Sequence, residues 1–150
     1  MSNLRLDERA VIRMIGCDRQ MTKKFLSGAM TLIAPYKGKV ILVDFWNTWC
    51  GPCRMEMPNV VAAYAKYKAK GFGIVGVSLD NDVESWKKAI KDLNITWPQM
   101  SDLKGWQCEG AALYGVRAIP ATLLVSKDGT IVARDLRGED LEAKLAELMK

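Results

Sequence analysis

Cys50 and Cys53 stand two residues apart in Trp49-Cys50-Gly51-Pro52-Cys53-Arg54. Thiols at that spacing can close a small disulfide loop or supply half of a metal site, and spacing alone leaves both open. The flanks decide. Upstream, Val40-Ile41-Leu42-Val43-Asp44-Phe45-Trp46 reads as a buried strand, and downstream a helical pattern begins at once. The cysteines therefore occupy a strand-to-helix junction, with Cys50 at the helix N-terminus. Unpaired backbone N–H groups and the positive end of the helix dipole favour a thiolate there. The pair reads as a redox-active dithiol.

Two carboxylates accompany it. Asp44 interrupts the apolar strand, where ionisation without a partner is costly, so its pKa is expected to be raised. The plainer reading is a solvated carboxylate at a strand end. Glu56 lies three residues after Cys53, a spacing that puts both side chains on neighbouring positions of one helix face. It can tune the thiols or relay a proton, or it is an exposed helix glutamate. The chain contains no histidine, which removes Ser-His and Cys-His nucleophile pairs and any His-containing metal site. Its 4 cysteines are too few for a disulfide scaffold and badly spaced for a four-thiolate zinc site. No metal or cofactor is expected, and Cys17 and Cys108 read as inert thiols.

The elements that must position these groups fit within 150 residues, a length suited to one domain. With 49% hydrophobic and 26% charged residues, the composition is that of an ordinary globular protein. The formal charge is +5, but the lysines are dispersed, as in Lys66, Lys68 and Lys70 or Lys87, Lys88 and Lys91, so solvated helix faces are expected rather than a nucleic-acid patch. No run approaches the roughly 18 apolar residues of a membrane span, so no membrane insertion is expected. The N-terminus offers only Ala10-Val11-Ile12 before Arg13, without a signal-peptide apolar core. Taken literally the chain stays where it is made, unless it is a mature domain cut from a longer precursor.

Residues 1–36 read as an N-terminal extension with one or two short helices. Tyr36 to Lys39 form a turn that launches the strand at Val40. After Cys53, Met57, Val60, Val61, Tyr64 and Tyr67 keep a helical period to a stop at Gly71, with a kink expected at Pro58. Phe72 to Leu79 is a second buried strand. Asn81 and Glu84 have capping-box spacing, with Asn81 as the N-cap of a helix carrying Val83, Trp86, Ile90 and Leu93. A short strand over Thr96 to Met100 and a helical stretch from Trp106 to Tyr114 follow. Ala121 to Val125 and Thr130 to Ala133 flank Asp128-Gly129 as an antiparallel hairpin. Leu141, Leu145 and Leu148 mark a final amphipathic helix. Met55, Met57, Trp86, Trp97 and Trp106 read as packing residues. The order implies an α/β fold, a mixed sheet between helical layers.

The combination of the strand ending in Asp44-Phe45-Trp46, the Trp49-Cys50-Gly51-Pro52-Cys53 motif, Pro58 in the next helix and Ile119-Pro120 before a strand resembles thioredoxin. The helix and strand inserted between Asn81 and Met100, with Glu56 after the motif, resemble the TlpA/ResA branch of bacterial thiol-disulfide oxidoreductases. The resemblance covers residues 37–150 and implies a thioredoxin fold there. It implies that Cys50 is the nucleophile and Cys53 the resolving thiol, that Asp44 moves a proton to or from Cys53, and that Pro120 follows a cis bond facing the dithiol. By the same resemblance Trp49, Gly51, Pro52, Ile119 and Pro120 form the substrate-binding edge. Ala121 stands where thioredoxins often have threonine, and TlpA/ResA-like proteins often lack the aspartate that Asp44 supplies.

The implied activity is reduction of protein disulfides in the cell envelope, on partners such as apocytochrome c. The dithiol would be restored by an upstream thiol reductant such as a membrane electron carrier. A general cytoplasmic thioredoxin is the alternative. A peroxiredoxin-type peroxidase fits less well, because Asn47 occupies the place where that chemistry needs threonine. A copper-type metal chaperone fits poorly without histidine.

Overall fold

The computed structural model describes residues 38–150; the expected N-terminal extension and Cys17 lie outside them. The elements are β1 (Val40–Trp46), α1 (Gly51–Tyr67), β2 (Phe72–Ser78), α2 (Val83–Asp92), β3 (Gln99–Met100), α3 (Glu109–Leu113), β4 (Ala121–Val125), β5 (Ile131–Arg134) and α4 (Gly138–Leu148). They form the expected α/β arrangement, a five-stranded sheet in the order β3-β2-β1-β4-β5.

β1 is central because it can be: it is apolar on both faces, and only Ile41 escapes full burial. It pairs parallel with β2, Asp44 opposite Gly76, and antiparallel with β4, Asp44 opposite Thr122. Alternation then assigns the faces. Val40, Leu42 and Trp46 point to one side, with Met57 and Val60 of α1, Ala89 of α2, and Leu141 and Leu145 of α4. Val43 and Phe45 point to the other, with Cys108, Ala111 and Tyr114. Asp44 shares the parity of Leu42 and Trp46, so its carboxyl lies under α1.

α1 runs on through Pro58 to Tyr67. A 3₁₀ turn, Lys68–Lys70, then ends at Gly71, whose φ of 96° is a conformation glycine adopts without penalty. Several boundaries differ from the sequence expectation. Asp82, not Asn81, caps α2, its carboxylate accepting from Glu84 N at 3.2 Å and Ser85 Oγ at 2.6 Å. Both residue types cap well, and the aspartate one position later takes the role. The third strand shrinks to Gln99–Met100, because Pro98 has no N–H to give and contributes only its carbonyl, to Gly76 N. The stretch from Trp106 splits into a 3₁₀ turn, Gly105–Gln107, and the short α3. β5 spans Ile131–Arg134 against β4, displaced by one residue from the expected Thr130 to Ala133, with an irregularity between Leu124 and Val125. Met57 and Trp97 are buried and Trp86 half-buried as packing residues, but Met55 is 81% and Trp106 56% exposed.

Gly76 has a specific reason to lack a side chain. A Cβ there would collide with the Gln99 amide, which lies across β2 and accepts from Trp46 Nε1 at 2.9 Å. The pair ties the sheet edge to the strand that carries the dithiol.

Candidate active site

The loop between β1 and α1 is built by hydrogen bonds from the end of β2. Asn47 Nδ2 donates to the Leu79 carbonyl at 2.8 Å, and Asn47 Oδ1 accepts from Trp49 N at 2.6 Å. Thr48 N donates to the buried Asp80 carboxylate at 3.0 Å, which also accepts from Ser78 Oγ at 2.6 Å. Arg54 Nη1 reaches back to the Thr48 carbonyl at 3.3 Å. With its turn fixed from both sides, the chain enters α1 with Cys50 as the N-cap and Pro52 near its start, where a missing N–H costs nothing.

Cys50 and Cys53 form a disulfide, their Cα atoms 5.2 Å apart. Cys53 N donates to Cys50 Sγ at 3.2 Å, so an otherwise orphaned helix N–H points at the sulfur that would carry charge in the reduced state. Cys50 is half-buried and Cys53 only 2% exposed. The first sulfur is reachable and the second is not.

Across from the sulfurs the Ile119-Pro120 peptide bond is cis, and the Ile119 carbonyl oxygen lies 3.8 Å from Cys50 Sγ. Trp49, 79% exposed, with the exposed Gly51 and Pro52 completes this outer edge. Behind the sulfurs Asp44 is buried, and its pKa is pushed up to about 7, first by burial and then by the negative charge of Glu56. Asp44, Cys53, Glu56, Pro120, Thr122 and Arg137 line a cavity of about 10 Å³, the size of one water molecule. Asp44 and Cys53 thus share the wall of one small space.

Glu56 is oriented away from a purely solvated position. Its Oε1 accepts from Gly138 N, at the start of α4, at 2.8 Å, and its Oε2 from Asn59 Nδ2 at 3.1 Å. The structure thus brings together Cys50, Cys53, Asp44, Ile119 and Pro120, with Glu56 at the cavity wall and Trp49, Gly51 and Pro52 at the rim. Cys108 is a buried thiol on the opposite face of the sheet, its pKa raised chiefly by burial. Asn47 and Asp80 hold the loop, and sequence reading assigned neither that role. The available signal was two polar residues at the carboxyl ends of adjacent parallel strands, where α/β folds place their sites.

Residues 26–149 match the Redoxin family. The chain belongs to the Redoxin family. The match begins inside the stretch read as an N-terminal extension. Among relatives of this Redoxin chain, thiol-disulfide oxidoreductase ResA from Bacillus thuringiensis subsp. konkukian is 34% identical over 125 residues, 83% of this chain and 70% of the relative. The crystal structure of the thioredoxin domain of a thiol-disulfide oxidoreductase from Bacteroides vulgatus superposes with a TM-score of 0.73 at 38% identity, covering 79% of this chain and 84% of the other. A putative thiol:disulfide interchange protein DsbE from Chlorobium tepidum gives a TM-score of 0.70 at 32% identity, covering 79% and 85%. This Redoxin chain is a thioredoxin-like thiol-disulfide oxidoreductase that works by dithiol-disulfide exchange through Cys50 and Cys53, on disulfide-containing proteins.

Proposed function

We propose that the chain is a reductant of protein disulfides in which Cys50 attacks and Cys53 resolves. The observation that carries the assignment is the asymmetry of the pair: Cys50 is reachable and receives the Cys53 N–H, while Cys53 is shut in beside Asp44. In the reduced protein the Cys50 thiolate attacks one sulfur of the substrate disulfide and expels the other as a thiolate, leaving a Cys50–substrate mixed disulfide. Asp44, ionised in a sizeable fraction near neutral pH, takes the Cys53 proton. The Cys53 thiolate then attacks Cys50 Sγ, releasing the second substrate thiolate and closing the Cys50–Cys53 bond. Two electrons pass to the substrate, and an upstream thiol reductant, such as a membrane electron carrier, returns them.

Ile119 supplies backbone to an extended substrate segment and Trp49 a flat apolar surface beside it. The likeness to ResA and DsbE proteins supports action in the cell envelope. Among the described residues no helix is long and apolar enough to cross a membrane.

Two measurements test this reading. Cys53→Ser should accumulate a mixed disulfide with a disulfide-closed peptide, and Cys50→Ser should form none; trapping through Cys53 instead would reverse the roles. Equilibration of the pair against glutathione should give a potential near thioredoxin's, about −270 mV, whereas about −120 mV would mark an oxidant and sink the assignment.

A further inference from the structure

The chain from Tyr114 to Pro120 lies outside the helices and strands, yet it must hold Ile119 against Cys50. Both ends of that loop are gripped from one short segment on the far side of β4. Arg134, the last residue of β5, donates from Nη1 to the Tyr114 carbonyl at 2.9 Å. Arg137, in the turn before α4, donates from Nη2 to the Pro120 carbonyl at 2.9 Å. A charged donor makes these bonds stronger than neutral pairs, and a planar guanidinium loses less freedom per bond than an ammonium would.

The gripping segment is itself fixed. Asp135 N donates to the Thr122 carbonyl at 2.9 Å, and Asp135 Oδ1 accepts from Thr122 N at 3.1 Å. Gly138 N is held by Glu56. Asp135 and Gly138 both take positive φ, 55° and 50°, which folds the turn back over the end of β4. A continuous set of contacts therefore runs from the dithiol helix through Glu56 to the Arg137-Gly138 turn, and from that turn to the loop facing the dithiol.

We propose that Arg134 and Arg137 are positioning residues that clamp the Pro120 loop against the Cys50–Cys53 pair and set the rate of exchange with polypeptide disulfides. The proposal rests on the exchange reading above. An extended substrate must align its backbone with Ile119 before its sulfur meets Cys50, so a displaced loop misaims the attack. A small aromatic disulfide needs no such alignment.

The test mixes reduced wild-type protein with two oxidants under single-turnover conditions: an uncharged synthetic peptide closed by an internal disulfide, and 5,5′-dithiobis(2-nitrobenzoate). The variants are Arg134→Met, Arg137→Met and Arg137→Lys. Methionine keeps a long stem and removes the donors; lysine keeps a donor and the charge. Each methionine variant is expected to slow the peptide reaction by about tenfold, since misplacement by about 1 Å can cost more than that. For Arg134→Met, at a residue that does not line the cavity beside Cys53, the small-disulfide rate and the equilibrium with glutathione should stay within about twofold, as for surface changes that leave the thiols alone. Arg137→Lys should recover most of the peptide rate. Unchanged peptide rates in both methionine variants overturn the clamp. So does a parallel loss with both oxidants together with a lower melting temperature, the mark of a merely structural role. A wild-type protein that exchanges with neither oxidant overturns the exchange reading itself.

Discussion

At Asp44 a carboxyl is buried on the α1 side of β1, in the wall of the cavity it shares with Cys53, Glu56 and Thr122. Its pKa rises from 3.8 to about 7, so the folded protein holds a proton that the unfolded chain gives up. The resulting stabilisation is fully present below about pH 3.8 and is lost as the pH climbs through about 7; the loss is on the order of 4 kcal/mol. Asp44→Asn should remove that dependence. Urea unfolding is expected to show the variant near wild type at pH 4 and more stable than wild type at pH 8. The same variant should slow the Cys53 step near neutral pH, seen as a longer-lived mixed disulfide; an unchanged lifetime would remove Asp44 from the proton path. Asp44 and the two cysteines were legible in the sequence because each breaks its surroundings, a charge in an apolar strand and paired thiols at a junction. Asn47, Asp80, Arg134 and Arg137 were not, because their work is done through hydrogen bonds to backbone groups far away in the chain.

At the scale of elements, Glu56 acts as a cap supplied from another helix. Arg137, the N-cap residue of α4, gives no side-chain bond to the helix start, and the Glu56 carboxylate takes Gly138 N instead. Glu56→Ala should therefore cost about 1 kcal/mol of stability, the usual worth of a lost cap, while Glu56→Gln keeps an acceptor and should cost less. Glu56→Gln should also lower the Asp44 pKa, since the Glu56 charge is one of the two causes that raise it; a titration unmoved by the substitution would contradict that. Gly76→Ala should displace Gln99 from Trp46 and cost about 1–3 kcal/mol, the range for overpacking a tight site. Denaturant midpoints check both costs. Periodicity located nearly every helix and strand, yet it misplaced the α2 cap by one residue. Two adjacent good capping residues, Asn81 and Asp82, look alike to a spacing rule, and only the bonds to Glu84 and Ser85 distinguish them.

For the whole molecule, two apolar clusters share one sheet, and α1 and α4 lie together on one face. Tyr67 OH and Lys66 both bond Glu142 across that contact, and Leu145, fully buried, fills it from the α4 side. Leu145→Ala should cost about 2–5 kcal/mol, as large-to-small core changes do, and calorimetry should register it as a lower melting temperature in every redox state. Trp106 and Met55 show where whole-molecule context overrode residue type: apolar side chains were expected inside, but Met55 stands exposed near the start of α1 and Trp106 on the short 3₁₀ turn Gly105–Gln107. The β4-β5 hairpin was marked by Asp128-Gly129, whereas the strand order and the placement of Arg134 in β5 and Arg137 in the following turn beside the Pro120 loop depend on how the elements pack.

The register of β1 has a practical meaning. Phe45 pairs with Ala121 at the dithiol end, and Ile41 with Val125 at the other, where the Ser126 to Thr130 turn closes the hairpin. Seven residues of strand put roughly 20 Å between these poles. A protein immobilised through Lys127 at that turn would present its sulfurs outward, leaving a bulky oxidant free to approach from solution.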